Sequence, residues 1–342
     1  MVDNHKANLT ASEIASLWTA YMNNSMSCCF LIHFLKTVED QRIHAVVERA
    51  FSIADNDLST LREIFEKEDL PAPTGFSEQD VNVSAPRLYS DSFILFYIHQ
   101  MAKVGMLGYS GMISMSARKD IRTYFRNGLI AVSDLYDQSI ELLLEMGLYT
   151  RSPYISYPQE TDFVDSKKYL SGFNLFSKQR PVNAIEISHL HMNIQTNLIG
   201  LKLALSFAQI SPRKEIQKYM LRGKEISEKH VKIFSSALSE NNVQVPMSSD
   251  IALTDSTVSP FSDKLIMFHF TLLGTAGIGN YATAAAASQR SDLVINYERL
   301  SLEIAQYAKD GATIMIDNNW LEQPPGILDK ETLVKKKQEG TN

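Results

Sequence analysis

Apolar side chains recur along this chain at helical spacing. Ile226, Phe234 and Leu238 line one face of such a stretch, and Leu300, Ile304 and Tyr307 line another. Patterns of this kind predict long amphipathic helices that bury one side against their neighbours. Each half of the chain is expected to hold four. The first helix opens at a capping box, Thr10-x-x-Glu13 in one half and Asn183-x-x-Glu186 in the other. The cap side chain accepts from an orphan backbone N–H, and the glutamate reaches back to the cap's own N–H. In the second half this helix ends near Ile210, and Ser211-Pro212 is expected to cap and open the next, because proline at the first helical position loses no hydrogen bond. The first half turns near Asp40. The second helices run to about Asp69 and Glu240, and loops containing proline and serine follow at 70–89 and 241–261. Ser90 and Ser262 cap the third helices, each followed by an aspartate that complements the helix dipole. The fourth helices start near Arg118 and Ser291 and are expected to stop before Ser152-Pro153 and Pro324-Pro325, where proline cannot continue a helix.

The two halves are copies of one unit. Laying Glu13-Ile14 on Glu186-Ile187 also lays Leu17 on Leu190, Asn24 on Asn197, Phe34 on Phe207, Arg49 on Arg222 and Pro73 on Pro246. After the loop that follows the second helix the offset drops by one. It then lays Ser90-Asp91 on Ser262-Asp263, Phe96 on Phe268, Gly105 on Gly277, Tyr109 on Tyr281, Arg118 on Arg290 and Pro153 on Pro325. A repeat of this length with helical period predicts an all-α chain of two tandem four-helix bundles made by internal duplication. The bundles are expected at 1–150 and 182–330, with a linker at 151–181 and a polar tail at 331–342. The linker carries Tyr154, Tyr157, Phe163, Tyr169, Phe173 and Phe176 among Pro153, Pro158 and Gly172. A free tether would not hold so many aromatic rings. The linker is therefore expected to pack along one bundle and to dock two copies that keep separate cores.

The third helices are rich in glycine: Gly105, Gly108 and Gly111 in one copy, Gly274, Gly277 and Gly279 in the other. Glycine inside a helix costs about 1 kcal/mol relative to alanine. Close helix packing is the expected compensation, and a cavity in the bundle the alternative. Residues 265–288 carry no charge and are long enough to span a bilayer. His269, Thr271, Asn280 and Thr283 interrupt them, and the matching stretch 93–116 carries His99, Gln100 and Lys103. A helix buried in a bundle is expected there rather than a membrane insertion.

Composition narrows the partners. A net charge of -6 supplies no basic face for phosphate backbones, so nucleic acid is not expected as a partner, and Lys335-Lys336-Lys337 in the tail reads as a solvated end. Protein partners, including a second copy of the chain, stay open. Cys28 and Cys29 are adjacent, which strains a disulfide between them, and they sit in apolar surroundings as small hydrophobes. Free thiols and an N-terminus without an apolar leader point to the cytoplasm. No P-loop, Gly-x-Gly-x-x-Gly or Gly-x-Ser-x-Gly pattern is present.

Four strings stand out: Arg180-Pro181-Val182-Asn183-x-x-Glu186-Ile187, Tyr219-Met220-x-Arg222-Gly223-x-Glu225-Ile226, Phe261-Ser262-Asp263-Lys264-Leu265 and Asn319-Trp320-Leu321-Glu322-Gln323-Pro324-Pro325. They resemble a family of unknown function from Bacillus and related spore formers. Its members carry one or two copies of a domain similar to spore coat protein F and to the ferritin-like four-helix bundles. The first copy departs from the last string, with Leu148-Tyr149-Thr150-Arg151-Ser152-Pro153 in its place. The resemblance implies ferritin-like bundles and a structural or interaction protein, cytoplasmic or spore-associated and related to the spore coat, with no catalysis inferred. The alternative is a ferritin-like metal-binding or redox protein.

Di-metal bundles of that kind present Glu-x-x-His pairs to the bundle axis. None occurs here, and the nearest string, Glu225-x-x-Glu228-x-His230, turns His230 off the shared face. A looser set remains in the second copy: His189, His230, His269 and Glu303, donors suited to iron, manganese or zinc. If the second long loop stays at one end of the bundle, His269 falls within about 8 Å of the level of the other two histidines, at 1.5 Å rise per residue. If that loop crosses the bundle, His269 moves to the opposite end. The first copy has Ser16, Asp57, Tyr97 and Ala131 at these positions, so any such site is single. The competing reading leaves the histidines as separate hydrogen-bonded groups at helix contacts.

Overall fold

The computed structural model describes residues 7–172, 179–246, 253–327, 329 and 330. Two sets of four long helices follow one another: α1 (Ala11–Thr37), α2 (Gln41–Lys67), α3 (Asp91–Ser114) and α4 (Lys119–Glu145), then α5 (Ala184–Ile210), α6 (Lys214–Ser239), α7 (Asp263–Ala287) and α8 (Ser291–Asp317). Within each set the helices pack into a four-helix bundle. Both capping boxes form, at Thr10 and Asn183. One start differs from expectation, and the fourth helices stop for a different reason than expected. Pro212 lies outside α6, which begins after Arg213, and Ser211 instead accepts from the Arg213 N–H at 3.2 Å. The fourth helices end well before the prolines. Gly147 and Asn319, equivalent positions with φ of 69° and 56°, turn the chain into the left-handed region first. Asp69 and Asn242 do the same after α2 and α6. An αL residue closes the last carbonyls of a helix, so no proline is needed to stop it.

The capping glutamates do more than cap. Glu13 is buried and also accepts from the Ala117 and Arg118 N–H groups at 2.9 and 2.7 Å, the start of α4. Glu186 repeats this with Gln289 and Arg290 at 3.1 and 3.0 Å, and Arg180 adds a forked ion pair. Burial pulls both carboxyls up, but the donors outweigh it and hold them below the usual carboxylate range. These contacts fix the first and fourth helices start to start. At the other end, Asp91 at the start of α3 accepts from the Asp40 N–H at 2.7 Å, and Ser211 donates to Asp263 at the start of α7 at 2.8 Å. The second and third helices of each copy therefore run parallel, and the loop between them travels the length of the bundle.

Those two crossover loops meet. Antiparallel bridges join Val81 to Phe261 and Tyr89 to Leu253. Val81 and Leu253 are equivalent positions, as are Tyr89 and Phe261, so one contact is made twice about a pseudo-two-fold axis. The Asn82 N–H donates to Pro260 at 2.8 Å, and its equivalent Thr254 donates to Leu88 at 3.0 Å. Tyr97 and His269, also equivalent, face each other across the seam with the phenol oxygen 2.6 Å from Nε2. Phe30 of α1 packs on Phe261 at a centroid distance of 4.1 Å and on Phe207 at 6.1 Å.

The expectation of separate cores is thus corrected. Phe207, Leu265 and Phe270 of the second copy belong to one apolar core with Phe30, Phe34 and Phe93 of the first, and a smaller core around Phe234 and Leu300 lies within the second copy. In the linker Tyr154, Tyr157 and Phe163 are exposed, while Tyr169 stacks under Arg180 against the second bundle. Phe173, Phe176 and the Lys335-Lys336-Lys337 run lie outside the described residues. Among the described residues no helix is long and apolar enough to cross a membrane. Cys28 and Cys29 are buried free thiols, and burial pushes both up to about 12.

A shared core predicts shared stability. Phe30→Ala empties a site between the copies and should cost about 3–5 kcal/mol. The chain has two tryptophans, Trp18 in the first copy and Trp320 just after the last helix of the second. In urea unfolding of single-tryptophan forms, Phe30→Ala is expected to lower both midpoints together. A shift confined to Trp18 would mean that the bundles unfold independently.

Candidate functional site

Each bundle buries a polar cluster on the third-helix tyrosine. In the second copy the Asn197 amide on α5 donates to the Tyr281 phenol on α7 at 2.7 Å. The phenol lies 2.9 Å from Nδ1 of His230 on α6, and Nε2 of that ring is 3.0 Å from Glu303 on α8. Lys229 pairs with the other Glu303 oxygen. Burial lowers the His230 pKa against the pull of Glu303. Burial also raises the Glu303 carboxyl, but Lys229 and His230 more than offset it and leave it low. The Tyr281 phenol is pushed up by burial and stays protonated. The cluster is a hydrogen-bonded path from a half-exposed carboxylate to a buried phenol.

The first copy builds the same cluster with different end groups. Asn24 donates to Tyr109 at 3.4 Å, and Tyr109 donates to Asp57, the position of His230. Burial raises the Asp57 carboxyl, with the tyrosine bond acting against it. Gly128 makes room for the ring, since a Cβ there would sit 2.7 Å from Tyr109. The asparagines and tyrosines were not among the expected site residues. Their signal was available, because each is identical in both copies at equivalent positions.

Of the four expected donors the structure brings His230 and Glu303 together. The second loop crosses the bundle, so His269 sits near the start of α7 at the seam, against Tyr97, Phe30 and Phe207. His189 is half-buried, and among the described residues its Nδ1 has no hydrogen-bond partner and it makes no hydrogen bond to the pair. Among the described residues no three His, Cys, Asp or Glu side chains converge as a metal cage.

A cavity of about 560 Å³ opens between the bundles. Met26 and Leu31 of α1, Gly105 and Gly108 of α3, Ile199 of α5, and Leu272 and Ala276 of α7 line it, as do Asn24 and Tyr109 of the first cluster. Of the third-helix glycines, Gly105, Gly108 and Gly279 line it, and none of the six is required by close packing. A Cβ added at Gly108, Gly111 or Gly279 would meet nothing within 4 Å, and at Gly105, Gly274 or Gly277 it would make ordinary contact. Leu107 and Thr275 stand exposed at the rim.

The buried imidazoles make the molecule acid-sensitive. His33, His99 and His269 are fully buried, and burial lowers them to about 4, 3 and 4. A group whose folded pKa is depressed binds its proton in the unfolded chain first. Stability is therefore retained above the unfolded value, about 6.5, and falls below it. Each of the three should lose about 2 kcal/mol between pH 7 and pH 5, or about 6 kcal/mol together. Urea midpoints across that range should drop accordingly, and a flat profile would contradict the neutral, buried assignment.

Three comparisons place the chain among known proteins. It is 32% identical over 95 residues to a vitopine synthase of Allorhizobium ampelinum, covering 28% of this chain and 26% of that protein's length. A solved structure of a provisionally named spore coat protein from Bacillus halodurans is 20% identical, with a TM-score of 0.40 over 45% of this chain and all of that one. A family model described as a protein of unknown function, DUF3231, matches twice in tandem, at residues 1–160 and 170–333. With both bundles inside those two matches, the chain belongs to the DUF3231 family.

Proposed function

We propose that this protein is a non-catalytic binding protein of spore-forming bacteria, cytoplasmic or spore-associated, that holds an apolar small molecule between its two bundles. The inter-bundle cavity carries the reading. Its volume of about 560 Å³ lies within the roughly 300–1,000 Å³ of small-molecule sites. Its walls are mostly aliphatic, with a few polar groups to orient a guest. The units 1–150 and 182–330 supply opposite walls, so the duplication itself creates the site. The spore-former setting rests on the strings at 180–187, 219–226, 261–265 and 319–325. The test is thermal unfolding with dodecan-1-ol. At a hundredfold excess over Kd, binding adds about 2.7 kcal/mol. Ala276→Phe, which fills the cavity from α7, should abolish the rise in Tm. No stabilisation of the unsubstituted protein, or equal stabilisation of Ala276→Phe, would refute the reading.

A second reading keeps a metal ion. The crossover wiring is that of ferritin-like bundles, and we propose that kinship for both copies. The residues do not fit a di-metal centre, since among the described residues only His230 and Glu303 of the four expected donors converge, and both imidazole nitrogens are already engaged. A single iron, manganese or zinc ion would have to displace the His230–Glu303 hydrogen bond. Protein grown with these metals should then carry near one equivalent, lost in His230→Ala. Metal-free protein, or occupancy unchanged by the substitution, would remove this reading.

A further inference from the structure

Polar side chains of both copies line the cavity, Thr196, Asn280 and Thr283 of the second among them, but its charged side chain comes from the first copy. Gln100 and Lys103 lie one turn apart on α3, and both line the cavity. Gln100 is only 6% exposed, yet its amide nitrogen has no hydrogen-bond partner among the described residues. Lys103 is half-buried, and no carboxylate pairs with it among the described residues. Burial is the sole influence on its ammonium, which falls to about 8. A buried amide nitrogen without a partner is costly, and the half-buried Lys103 puts a positive charge at the wall of an otherwise uncharged cavity. The fold does not require them. The equivalent positions of the second copy are Leu272 and Thr275, which line the same cavity across the pseudo-axis with a leucine and a hydroxyl.

We propose that Gln100 and Lys103 form the headgroup site for an amphiphilic carboxylate whose hydrocarbon chain lies in the inter-bundle cavity. The carboxylate would accept from the Lys103 ammonium and from the Gln100 amide, giving the buried amide nitrogen a partner and the ammonium a counter-charge. A charge-assisted bond of this kind is about twice as strong as a neutral one. The chain would run along Leu31, Ile199 and Leu272, and the glycine-lined wall of α3 leaves it room. An alcohol of equal length would fill the same volume without satisfying Lys103. A cationic amphiphile would place like charge against it.

This inference rests on the cavity reading and is tested so that the two can fail separately. Titrations of the full chain with dodecanoate, dodecan-1-ol and dodecyltrimethylammonium, below their micelle thresholds, should rank them in that order. Dodecanoate is expected to bind at least tenfold more tightly than the alcohol. Lys103→Met should lose that tenfold preference and bind the alcohol unchanged, whereas Lys103→Arg should retain the preference. Gln100→Leu, which copies the residue at the equivalent position, provides a second variant should Lys103→Met fail to fold, and it should weaken dodecanoate alone by several-fold. Equal affinity for acid and alcohol in the unsubstituted protein, or an unchanged preference in Lys103→Met and Gln100→Leu, would overturn the headgroup site and leave the cavity reading standing. No binding of either acid or alcohol would overturn both.

Discussion

The long crossover between the second and third helices is the constraint on which the rest depends. A loop that runs the length of a bundle exposes many backbone donors and acceptors, and each one that is buried needs a partner. Here part of that need is met by the other copy. Val81 and Tyr89 of one crossover bridge Phe261 and Leu253 of the other, and the Asn82 and Thr254 N–H groups bond across the pseudo-axis. Each crossover thus places part of its hydrogen bonding on its twin. The seam then closes around Phe30, Phe207 and the Tyr97–His269 pair, and a continuous core follows from the pairing of the loops.

The same crossing decides which polar groups can cooperate. It carries the start of α7 to the Ser211 end of the second bundle, which takes His269 to the seam and leaves His230 with Glu303. The tyrosine clusters lie where all four helices of a bundle converge, and both copies retain the Asn–Tyr bond. They differ in the group that receives the phenol: Asp57 in one copy, and His230 backed by Glu303 in the other. A duplicated fold has kept the hydrogen-bonded centre and varied its electrostatics. The cavity is likewise shared by both copies yet asymmetric in charge, since Lys103 faces Thr275 in equivalence.

Much of this was legible in the chain itself, for a physical reason. Helix period, the capping boxes at Thr10 and Asn183, and the serines before Asp91 and Asp263 act through interactions within a few residues, so they can be read without the fold. The duplication was legible because identical spacing in two stretches is independent of how they pack. The family resemblance followed from the same strings. The helix stops were less legible: prolines drew attention, while Gly147 and Asn319 had already turned the chain.

What only the tertiary structure decided are the contacts that join distant positions. Glu13 and Glu186 read as caps in sequence, but their second role, holding the start of α4 or α8, depends on which helix ends meet. The third-helix glycines read as packing surfaces, but Gly105, Gly108 and Gly279 line the cavity between the bundles. Of the linker aromatics that suggested docking, Tyr154, Tyr157 and Phe163 are exposed and Tyr169 packs on the second bundle, while the crossovers join the two copies. The sequence by itself determined eight helices, most of their starting caps and their duplication, because those depend on local spacing. The wiring of the bundles, the shared core and the cavity at Lys103 were decided only in three dimensions, because a helix face carries no record of which other face it will meet.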